Sequence, residues 1–479
     1  MPRRLDLIVL AIDIGTSSVR TALFDENAKL IPRSNASHVY RVRHSAEHGA
    51  ELDPQVLLRA TRKCLRQTRG LTKNPVIVVG GSGFWHSLLA LDRAGKPLTP
   101  IFTWADTRCA EDAARLRATF DEHAIQQRTG CMLRASFWPA KLLWLRRTRP
   151  RLFRRAARWV SPAEWIFEQI FAVRACSHSM ASGTGLYDFA RSDWDAELIE
   201  ASCLRRSQLG ILRDEVKTDG LSLYPAIGDG AASNLGSGAS TRGVVAINVG
   251  TSAAVRTIPS SEVPLPFGLF RFVVDQKRSL LGGAVSNAGD LRAWCLHELR
   301  LPNNEGALEK ILRQAGPASE SLIILPFWVS ERAPTWPEHL DGIIHGLTQA
   351  TTAADLLRGT TAAVFHRLAQ ILIQLENAIG RAKKIVVSGG ILQSPASVQI
   401  LADSLGRDVQ VCADREASLR GAAVYALERL GKIVPPPKPG KIIRHDRANG
   451  AKAREARARQ NQLEELLCSR GVDPGRRET

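Results

Sequence analysis

Two short segments that combine glycine with hydroxyl side chains are the clearest candidates for chemistry in this 479-residue sequence. The first contains Gly15, Thr16 and Ser17, and the second contains Gly250 and Thr251. Each lies between two apolar runs, which predicts the tip of a β-hairpin. Because glycine lets the backbone approach a ligand and hydroxyl groups add donors, each tip could bind phosphate oxygens. The repetition predicts a duplicated architecture with a phosphate-rich ligand between its halves.

Asp13 ends the strand that is predicted before the first tip. A buried carboxylate is costly unless it is paired or bound to a cation, so this residue predicts a Mg²⁺ site beside the phosphates. The alternative is an aspartate that hydrogen-bonds only the hairpin turn. In the second copy Asn248 stands at the corresponding position and lacks the charge that a Mg²⁺ site favours. The metal is therefore expected on the side of the first half.

Asp229 lies between Gly228 and Gly230, at the start of a small-residue stretch that could form a helix. The two glycines allow a sharp turn and leave room for a substrate hydroxyl. A carboxylate within hydrogen-bond reach of that hydroxyl could accept its proton and orient its oxygen. The alternative is an aspartate that serves only a turn, which is a common arrangement.

The elements that must position these residues are predicted as strands separated by helices. Strands are predicted at 7–14, 19–24, 76–80 and 384–388, and helices at 54–70, 138–147, 162–171, 195–203, 288–299, 353–379, 395–405 and 418–430. This order predicts an α/β protein with two domains, formed by residues 1–243 and 244–434.

The last segment, residues 435–479, differs in composition from the rest. It opens with a proline-rich stretch, which cannot continue a helix and favours extended, solvated chain. The remainder is rich in Arg, Lys, Ala and Glu; residues 448–467 could form an amphipathic helix, and the ends are expected to be disordered. Such a basic tail could dock on the body, bind a partner, or have no role.

Composition excludes several classes of protein. We find no apolar stretch long enough to span a bilayer and no cleavable signal pattern at the start. The eight cysteines are scattered, which argues against a disulfide framework or zinc site and favours a cytoplasmic protein. The net charge of +18 suits anionic ligands. Nucleic acid is not an expected partner, because the sequence has no nucleic-acid-binding signature and only four tyrosines for base stacking.

Several further motifs, in their order, resemble those of the FGGY carbohydrate kinases. The resemblance covers about residues 7–431 and includes, besides the two tips, the segments 103–108, 141–145, 181–188, 193–195, 331–334 and 342–347. It implies a pair of actin-like, ribonuclease-H-like domains with a cleft between them, and phosphoryl transfer from ATP with Mg²⁺. The catalytic base of the family falls on Asp229, which would also contact substrate and, with Asp13, lie at the Mg²⁺.

The resemblance assigns the nucleotide mainly to the second domain. Both tips would meet the phosphates, and the further candidates are glycines near predicted turns and one hydroxyl group: Gly283, Gly289, Gly389, Gly390 and Ser394. Adjacent glycines would let a flat purine or ribose lie on bare backbone.

The sugar is expected on the first domain, where six residues combine aromatic, polar and charged groups: Trp85, His86, Ser87, Trp104, Asp106 and Arg108. An aromatic face can pack on sugar C–H groups, and the polar groups can fix hydroxyl positions. Each residue has a structural alternative. Trp104 could be core, Asp106 and Arg108 could be the ion pair of a turn, and His86 could be a loop histidine without a ligand.

The His86–Ser87 form of its motif, together with 103–108 and 183–187, most resembles the gluconokinases of the family. D-Gluconate is therefore the expected substrate, with xylulose or another ketose or polyol as the alternative. A non-enzymatic alternative is an ATP-binding actin-like scaffold whose tail binds polyanions. The expected partners are the sugar and ATP, with the chain as a monomer or homodimer.

Overall fold

The computed structural model describes residues 7–469, except for residues 71–75, 77, 219, 315 and 415. Residue 77 of one predicted strand and the end of the tail, residues 470–479, therefore lie outside the described residues. Within them, each predicted helix and strand is found with its ends shifted by a few residues at most.

The described part of the first half contains thirteen strands and nine α-helices. The strands are β1 (Val9–Ile14), β2 (Ser18–Phe24), β3 (Ala36–Val39), β4 (Arg43–His44), β5 (Ala50–Leu52), β6 (Val78–Gly83), β7 (Leu89–Leu91), β8 (Ile101–Phe102), β9 (Arg158–Val160), β10 (Tyr187–Asp188), β11 (Asp193–Trp194), β12 (Val216–Thr218) and β13 (Leu221–Gly228). The helices are α1 (Pro54–Arg69), α2 (Ala110–Thr119), α3 (Glu122–Thr129), α4 (Trp138–Thr148), α5 (Pro150–Arg155), α6 (Pro162–Phe171), α7 (His178–Ser182), α8 (Ala196–Ala201) and α9 (Asp229–Gly236).

The described part of the second half contains nine strands and seven α-helices. The strands are β14 (Val244–Val249), β15 (Ala253–Thr257), β16 (Phe270–Asp275), β17 (Arg278–Val285), β18 (Ile323–Leu325), β19 (Ile343–His345), β20 (Lys384–Ser388), β21 (Val409–Cys412) and β22 (Pro439–Ile443). The helices are α10 (Gly289–Glu298), α11 (Glu305–Arg313), α12 (Pro317–Ser321), α13 (Ala353–Ile379), α14 (Pro395–Leu405), α15 (Ala417–Arg429) and α16 (Arg447–Ser469).

Two large mixed sheets confirm the duplicated architecture. The first has six strands in the order β12-β13-β6-β1-β2-β3, and the second has seven in the order β16-β17-β15-β14-β20-β21-β22. In the first, β1 pairs antiparallel with β2 and parallel with β6. In the second, β14 pairs antiparallel with β15 and parallel with β20. Both halves therefore present a hairpin tip and a neighbouring parallel strand end at one edge of a buried sheet, where ligands bind in open α/β sheets.

Helix α15 joins the two halves, because it follows the second sheet in sequence but packs on the first. A Cβ at Gly80 of β6 would lie 2.3 Å from the carbonyl oxygen of Ala422, whereas one at Gly81 would meet the Phe167 ring of α6. Since successive strand residues face opposite sides of a sheet, α15 and α6 cover its two faces. The predicted boundary at 243 separates the strands of the two large sheets, but α15 crosses it.

The tail packs on the second half over its described length. β22 extends the sheet beside β21, and α16 packs against α13 and α14. The carboxylate of Glu464 forms a fully buried ion pair with Arg367 of α13 at 2.5 Å. Among the helices that the structure describes, none combines the length and apolar character needed to cross a membrane.

Candidate active site

A small cavity of about 70 Å³ lies where the two halves meet, and it contains the candidate base Asp229. The first half lines it with Phe84, Trp85, His86, Trp104, Ser136, Phe137 and Asp229, and the second half with Ser252, Arg256, Phe270, Phe272, Ala284, Arg332 and Trp336. Aromatic rings therefore form much of the wall, with a carboxylate and two guanidinium groups between them.

Asp229 is the first residue of α9, directly after β13. Its Oδ1 accepts a hydrogen bond from the backbone N–H of Gly230 at 2.7 Å. Its Oδ2 accepts none from the described residues, so it is available to a ligand. Burial is the main reason that the pKa of this carboxyl is raised; the charge of Arg256 opposes the shift and that of Asp13 adds to it. Such a group is a stronger base than an ordinary aspartate.

Asp13 lies in β1, only 1% exposed. Its Oδ2 pairs with Arg20 at 2.5 Å, and its Oδ1 accepts a hydrogen bond from the Ser82 hydroxyl at 2.8 Å. Arg20 also contacts Glu416, which begins the turn into α15, at 2.8 Å. The buried charge is thus compensated by the protein, and any cation would compete with Arg20 for Asp13.

Asp13 and Asp229 offer carboxylates of the kind that bind Mg²⁺, but both oxygens of Asp13 are already engaged by Arg20 and Ser82. No group of three or more His, Cys, Asp or Glu side chains that could form a metal cage occurs within the described parts of the chain. Mg²⁺ commonly keeps several waters and binds one or two carboxylates together with substrate phosphates. The donor set therefore suits a cation that arrives with a phosphate ligand.

In both predicted tips the glycine N–H donates across the turn, to the third residue on in the first tip and to the second residue on in the second tip. The N–H of Gly15 donates to the carbonyl of Ser18, and the N–H of Gly250 donates to that of Ser252, both at 2.9 Å. The second tip is also held against α10, because the N–H of Gly289 donates to the Gly250 carbonyl at 3.0 Å. A Cβ at Gly289 would lie 2.4 Å from that carbonyl oxygen, so only glycine permits this approach.

In the first tip, the hydroxyl of Thr16 accepts a hydrogen bond from the Trp104 indole at 3.2 Å. The side chain of Ser17 is exposed, and its carbonyl accepts the N–H of Tyr40 at 3.0 Å. The first tip therefore adjoins the cavity through the ring of Trp104.

A larger cavity of about 500 Å³ lies in the second half. Its lining includes five predicted nucleotide residues: Gly250, Thr251, Gly289, Gly390 and Ser394. The Ser394 hydroxyl also caps α14 by accepting the N–H of Ser397 at 3.1 Å. Gly389, beside Gly390, has a φ of +93° and leaves no space for a Cβ against the Val249 carbonyl.

Gly283 does not line that cavity. It lies within β17, where a Cβ would come within 2.8 Å of Ile371 and 2.9 Å of Leu269. Its lack of a side chain is therefore explained by close packing of the strand on the core.

Three of the predicted sugar residues line the cleft cavity: Trp85, His86 and Trp104. The Nδ1 of His86 lies 2.5 Å from the Gly183 carbonyl, which can only accept, so Nδ1 carries the proton and Nε2 is left as an acceptor. Burial lowers the pKa of His86 to about 3, and the ring is therefore neutral. The Trp85 indole donates to the Ser179 carbonyl at 2.9 Å, and its ring packs 4.5 Å from that of Phe272.

The other three predicted sugar residues lie outside the cavity lining. The carboxylate of Asp106 pairs with Arg108 at 2.5 Å, and Arg108 also pairs with Glu51 of β5 at 2.7 Å. The guanidinium of Arg108 lies 4.7 Å from the Trp144 ring centroid. Ser87 is buried, and its hydroxyl contacts the Trp85 carbonyl at 3.4 Å. These groups hold the loops behind Trp85 and Trp104.

Sequence reasoning missed Arg256 and Arg332, the two guanidinium groups of the cavity. Arg332 lies 4.5 Å from the centroid of the Trp104 ring and so links the two halves across the cleft. A signal was available for Arg256, since it is the one charged residue in the apolar run 253–258. Arg332 lies in the segment 331–334, which supported the resemblance without receiving a role.

Family models match both halves of the chain. Residues 8–221 match the N-terminal domain of the FGGY family of carbohydrate kinases, and residues 245–428 match its C-terminal domain. The chain is 28% identical over 454 residues to the gluconokinase of Bacillus subtilis (strain 168), covering 89% of this chain and 88% of the relative. It is 23% identical over 437 residues to the xylulose kinase of Staphylococcus xylosus, covering 87% of this chain and 90% of the relative.

Solved structures share the fold. The gluconate kinase of Lactobacillus acidophilus superposes with a TM-score of 0.86 at 22% identity, covering 96% of this chain and 98% of that one. The ligand-bound xylulose kinase of the same organism superposes with a TM-score of 0.87 at 22% identity, covering 96% of this chain and 98% of that one. The predicted resemblance and the two-domain actin-like fold are thus confirmed, and the chain belongs to the FGGY family of carbohydrate kinases.

Proposed function

We propose that this carbohydrate kinase transfers the γ-phosphoryl group of ATP to a hydroxyl group of D-gluconate. The observation that carries the catalytic assignment is Asp229, whose free Oδ2 lies in the cavity shared by both halves. The choice of gluconate is supported by the relatives described as gluconokinase or gluconate kinase. Xylulose is the alternative, since xylulose kinases are of comparable similarity.

In this proposal the residues of 1–243 bind the sugar and those of 244–434 bind most of the nucleotide. Gly250, Thr251 and Gly289 would meet the phosphates, while Gly390 and Ser394 would adjoin the adenosine. Asp13 and Asp229 would hold Mg²⁺, which when bound neutralises charge on the phosphates. All eight cysteines are free thiols, which supports a reducing cytoplasmic setting.

Asp229 accepts the proton of the attacking hydroxyl as its oxygen forms a bond to the γ-phosphorus. The bond between that phosphorus and the β–γ bridging oxygen breaks, and ADP leaves with the electron pair. The Asp229 proton then passes to solvent when products depart. Trp85 and Trp104 pack on the sugar, and neutral His86 can accept a hydroxyl hydrogen bond through Nε2.

The test is Asp229→Asn, which keeps the shape of the side chain but removes the base. We expect kcat for gluconate to fall by about 10²–10⁴-fold in a coupled ADP-release assay, with ATP affinity within about 3-fold of wild type. The matched control is Asp121→Asn at the N-terminus of α3, where asparagine caps equally well and activity should be unchanged. Wild-type turnover by Asp229→Asn would exclude Asp229 as the base.

The same assay tests the substrate with a panel of sugar acids, ketoses and polyols. We expect gluconate to give the highest kcat/KM. Rapid turnover of xylulose without turnover of gluconate would replace the proposed substrate while leaving the kinase assignment intact.

A further inference from the structure

Arg256 is the cavity residue whose charge is left without a partner. It lies in β15, and its guanidinium rests over the backbone of α9, where a Cβ at Gly230 would be 2.8 Å from Arg256 Nε. The same Cβ position is 2.8 Å from the ring of Trp85, so the guanidinium lies beside that aromatic wall. Arg256 thus faces the sugar cavity and is absent from the lining of the nucleotide cavity.

Nothing in the described chain neutralises this group by direct contact. The Nε of Arg256 is buried without a hydrogen-bond partner, and no hydrogen bond or ion pair joins its guanidinium to the described residues. Burial lowers its pKa, and the charge of Asp229 opposes that shift from beyond ion-pair distance. A partly buried cation without a partner is costly, so the site favours an anionic ligand.

Arg332, the other guanidinium of the cavity, is already committed. Its Nε donates to the Ser286 hydroxyl at 3.1 Å and its Nη2 to the Val285 carbonyl at 3.0 Å. Its Cζ also lies 4.5 Å from the centroid of the Trp104 ring. Arg332 therefore serves as a wall between the halves, whereas the donors of Arg256 are free for a ligand.

We propose that Arg256 binds the carboxylate of a sugar acid and thereby makes the enzyme prefer aldonates to neutral sugars. This inference rests on the proposed function, because it assumes that the cavity holds the acceptor sugar. A guanidinium offers two parallel N–H donors that match a carboxylate, and in a cavity walled by aromatic rings such a pair is strengthened by low solvent access.

The test compares gluconate with gluconamide, which has the same hydroxyls and no charge. In Arg256→Gln we expect kcat/KM for gluconate to fall by about 10²-fold, and that for gluconamide to stay within about 3-fold of wild type. Arg256→Lys should recover part of the loss, because it restores the charge without the paired donors. Arg271→Gln is the matched control and should preserve both activities, because Arg271 lies on β16 of the same sheet, outside the cavity, and its guanidinium already donates to the Val263 carbonyl.

Binding gives a second readout that does not depend on turnover. In the Asp229→Asn background, calorimetry should detect gluconate, and adding Arg256→Gln should weaken its Kd by about 30-fold or more. Nucleotide affinity measured on the same proteins verifies that both variants are folded.

Three outcomes would overturn the inference. Equal gluconate affinity with and without Arg256 would exclude carboxylate binding, even with wild-type gluconokinase activity intact. If Arg256→Gln lowers kcat/KM equally for gluconate and gluconamide, then Arg256 acts on the transferring phosphoryl group or has a structural role. A wild-type enzyme that phosphorylates xylulose but neither binds nor phosphorylates gluconate would overturn the proposed substrate as well, and that result is visible before any variant is made.

Discussion

The carboxylate of Asp229 lies among aromatic rings, where poor solvation favours its protonated form and raises its pKa. Arg256 limits this effect through its positive charge, so that a sugar acid on Arg256 would also change the electrostatics of the base. In the proposed function, substrate binding would therefore be coupled to the base strength of Asp229. Neutral His86 adds no charge of its own to this balance.

The raised pKa of Asp229 predicts the acid limb of activity. Because the base must be deprotonated, kcat/KM for gluconate should fall as pH decreases through a pKa above the usual aspartate value of about 3.9. A pH profile of kcat/KM between about pH 4 and 8 measures this limb. An acid limb at or below the usual aspartate pKa would contradict the assignment.

The same shift has a consequence for stability. Between the unfolded and the raised folded pKa, the folded protein binds the proton more tightly, so this group contributes less stability as pH rises. Asp229→Asn should therefore raise Tm at about pH 8, and the gain should shrink as pH falls.

At the scale of elements, the position of Asp229 depends on contact between α9 and α15. A Cβ at Gly421 of α15 would lie 1.7 Å from the Ala232 carbonyl oxygen, and one at Gly236 of α9 would lie 1.7 Å from that of Ala417. The two helices therefore approach backbone to backbone. Arg420 adds a hydrogen bond to the Gly236 carbonyl at 2.9 Å, at the end of α9 opposite Asp229.

Gly421→Ala tests this contact. In an exposed helix, alanine in place of glycine stabilises by about 1 kcal/mol, but here we expect a loss of about 1–3 kcal/mol from overpacking, with a reduced kcat as α9 shifts. Urea unfolding and steady-state kinetics measure the two effects. Gly306→Ala in α11, where the nearest atom to the new Cβ is 3.7 Å away, should be neutral or stabilising. Equal or higher stability of Gly421→Ala would show that the helices separate easily.

Helix α15 also illustrates the limit of sequence reading. Its apolar spacing predicted a helix at 418–430, and α15 spans Ala417–Arg429. The pattern contained no information about which sheet the helix covers, since small apolar residues suit either core. Short edge strands such as β3, β12 and β16 were not predicted for a related reason, because their stability comes from pairing with neighbours distant in sequence.

At the scale of the whole molecule, the tail completes the second half and also supports the cleft. Glu464 of α16 pairs with buried Arg367 and accepts a hydrogen bond from the Thr335 hydroxyl. Thr335 lies between Arg332 and Trp336, which line the cavity between the halves. The described tail is thus connected to this cavity through one carboxylate.

Glu464→Gln tests that connection. Removing the counterion of a fully buried arginine should lower the free energy of unfolding by about 3–5 kcal/mol, measured by urea titration. Glu465→Gln, at the exposed neighbouring position, should change it by no more than about 0.5 kcal/mol. Truncation after Pro435 should lower the free energy of unfolding further, because it also exposes the edge of β21. Full stability and activity of the truncated chain would instead make the tail an independent addition.

The cavity between the halves bears on how the enzyme works as a whole. Both halves line this cavity, so a change in their separation would change its volume. In the proposed function, closure of the halves would exclude water from the phosphoryl group. The contact of Arg332 with Trp104 would break and reform in such a cycle.

The amino-acid sequence was sufficient to predict the family and the duplicated hairpins, because glycine tips, apolar runs and ordered motifs are local features. It could not decide that Arg108 pairs with both Asp106 and Glu51 behind the cleft, that Gly283 serves packing, or that Arg256 faces the cavity between the halves. Those outcomes required the folded chain, since burial and charge compensation arise from contacts between residues far apart in sequence.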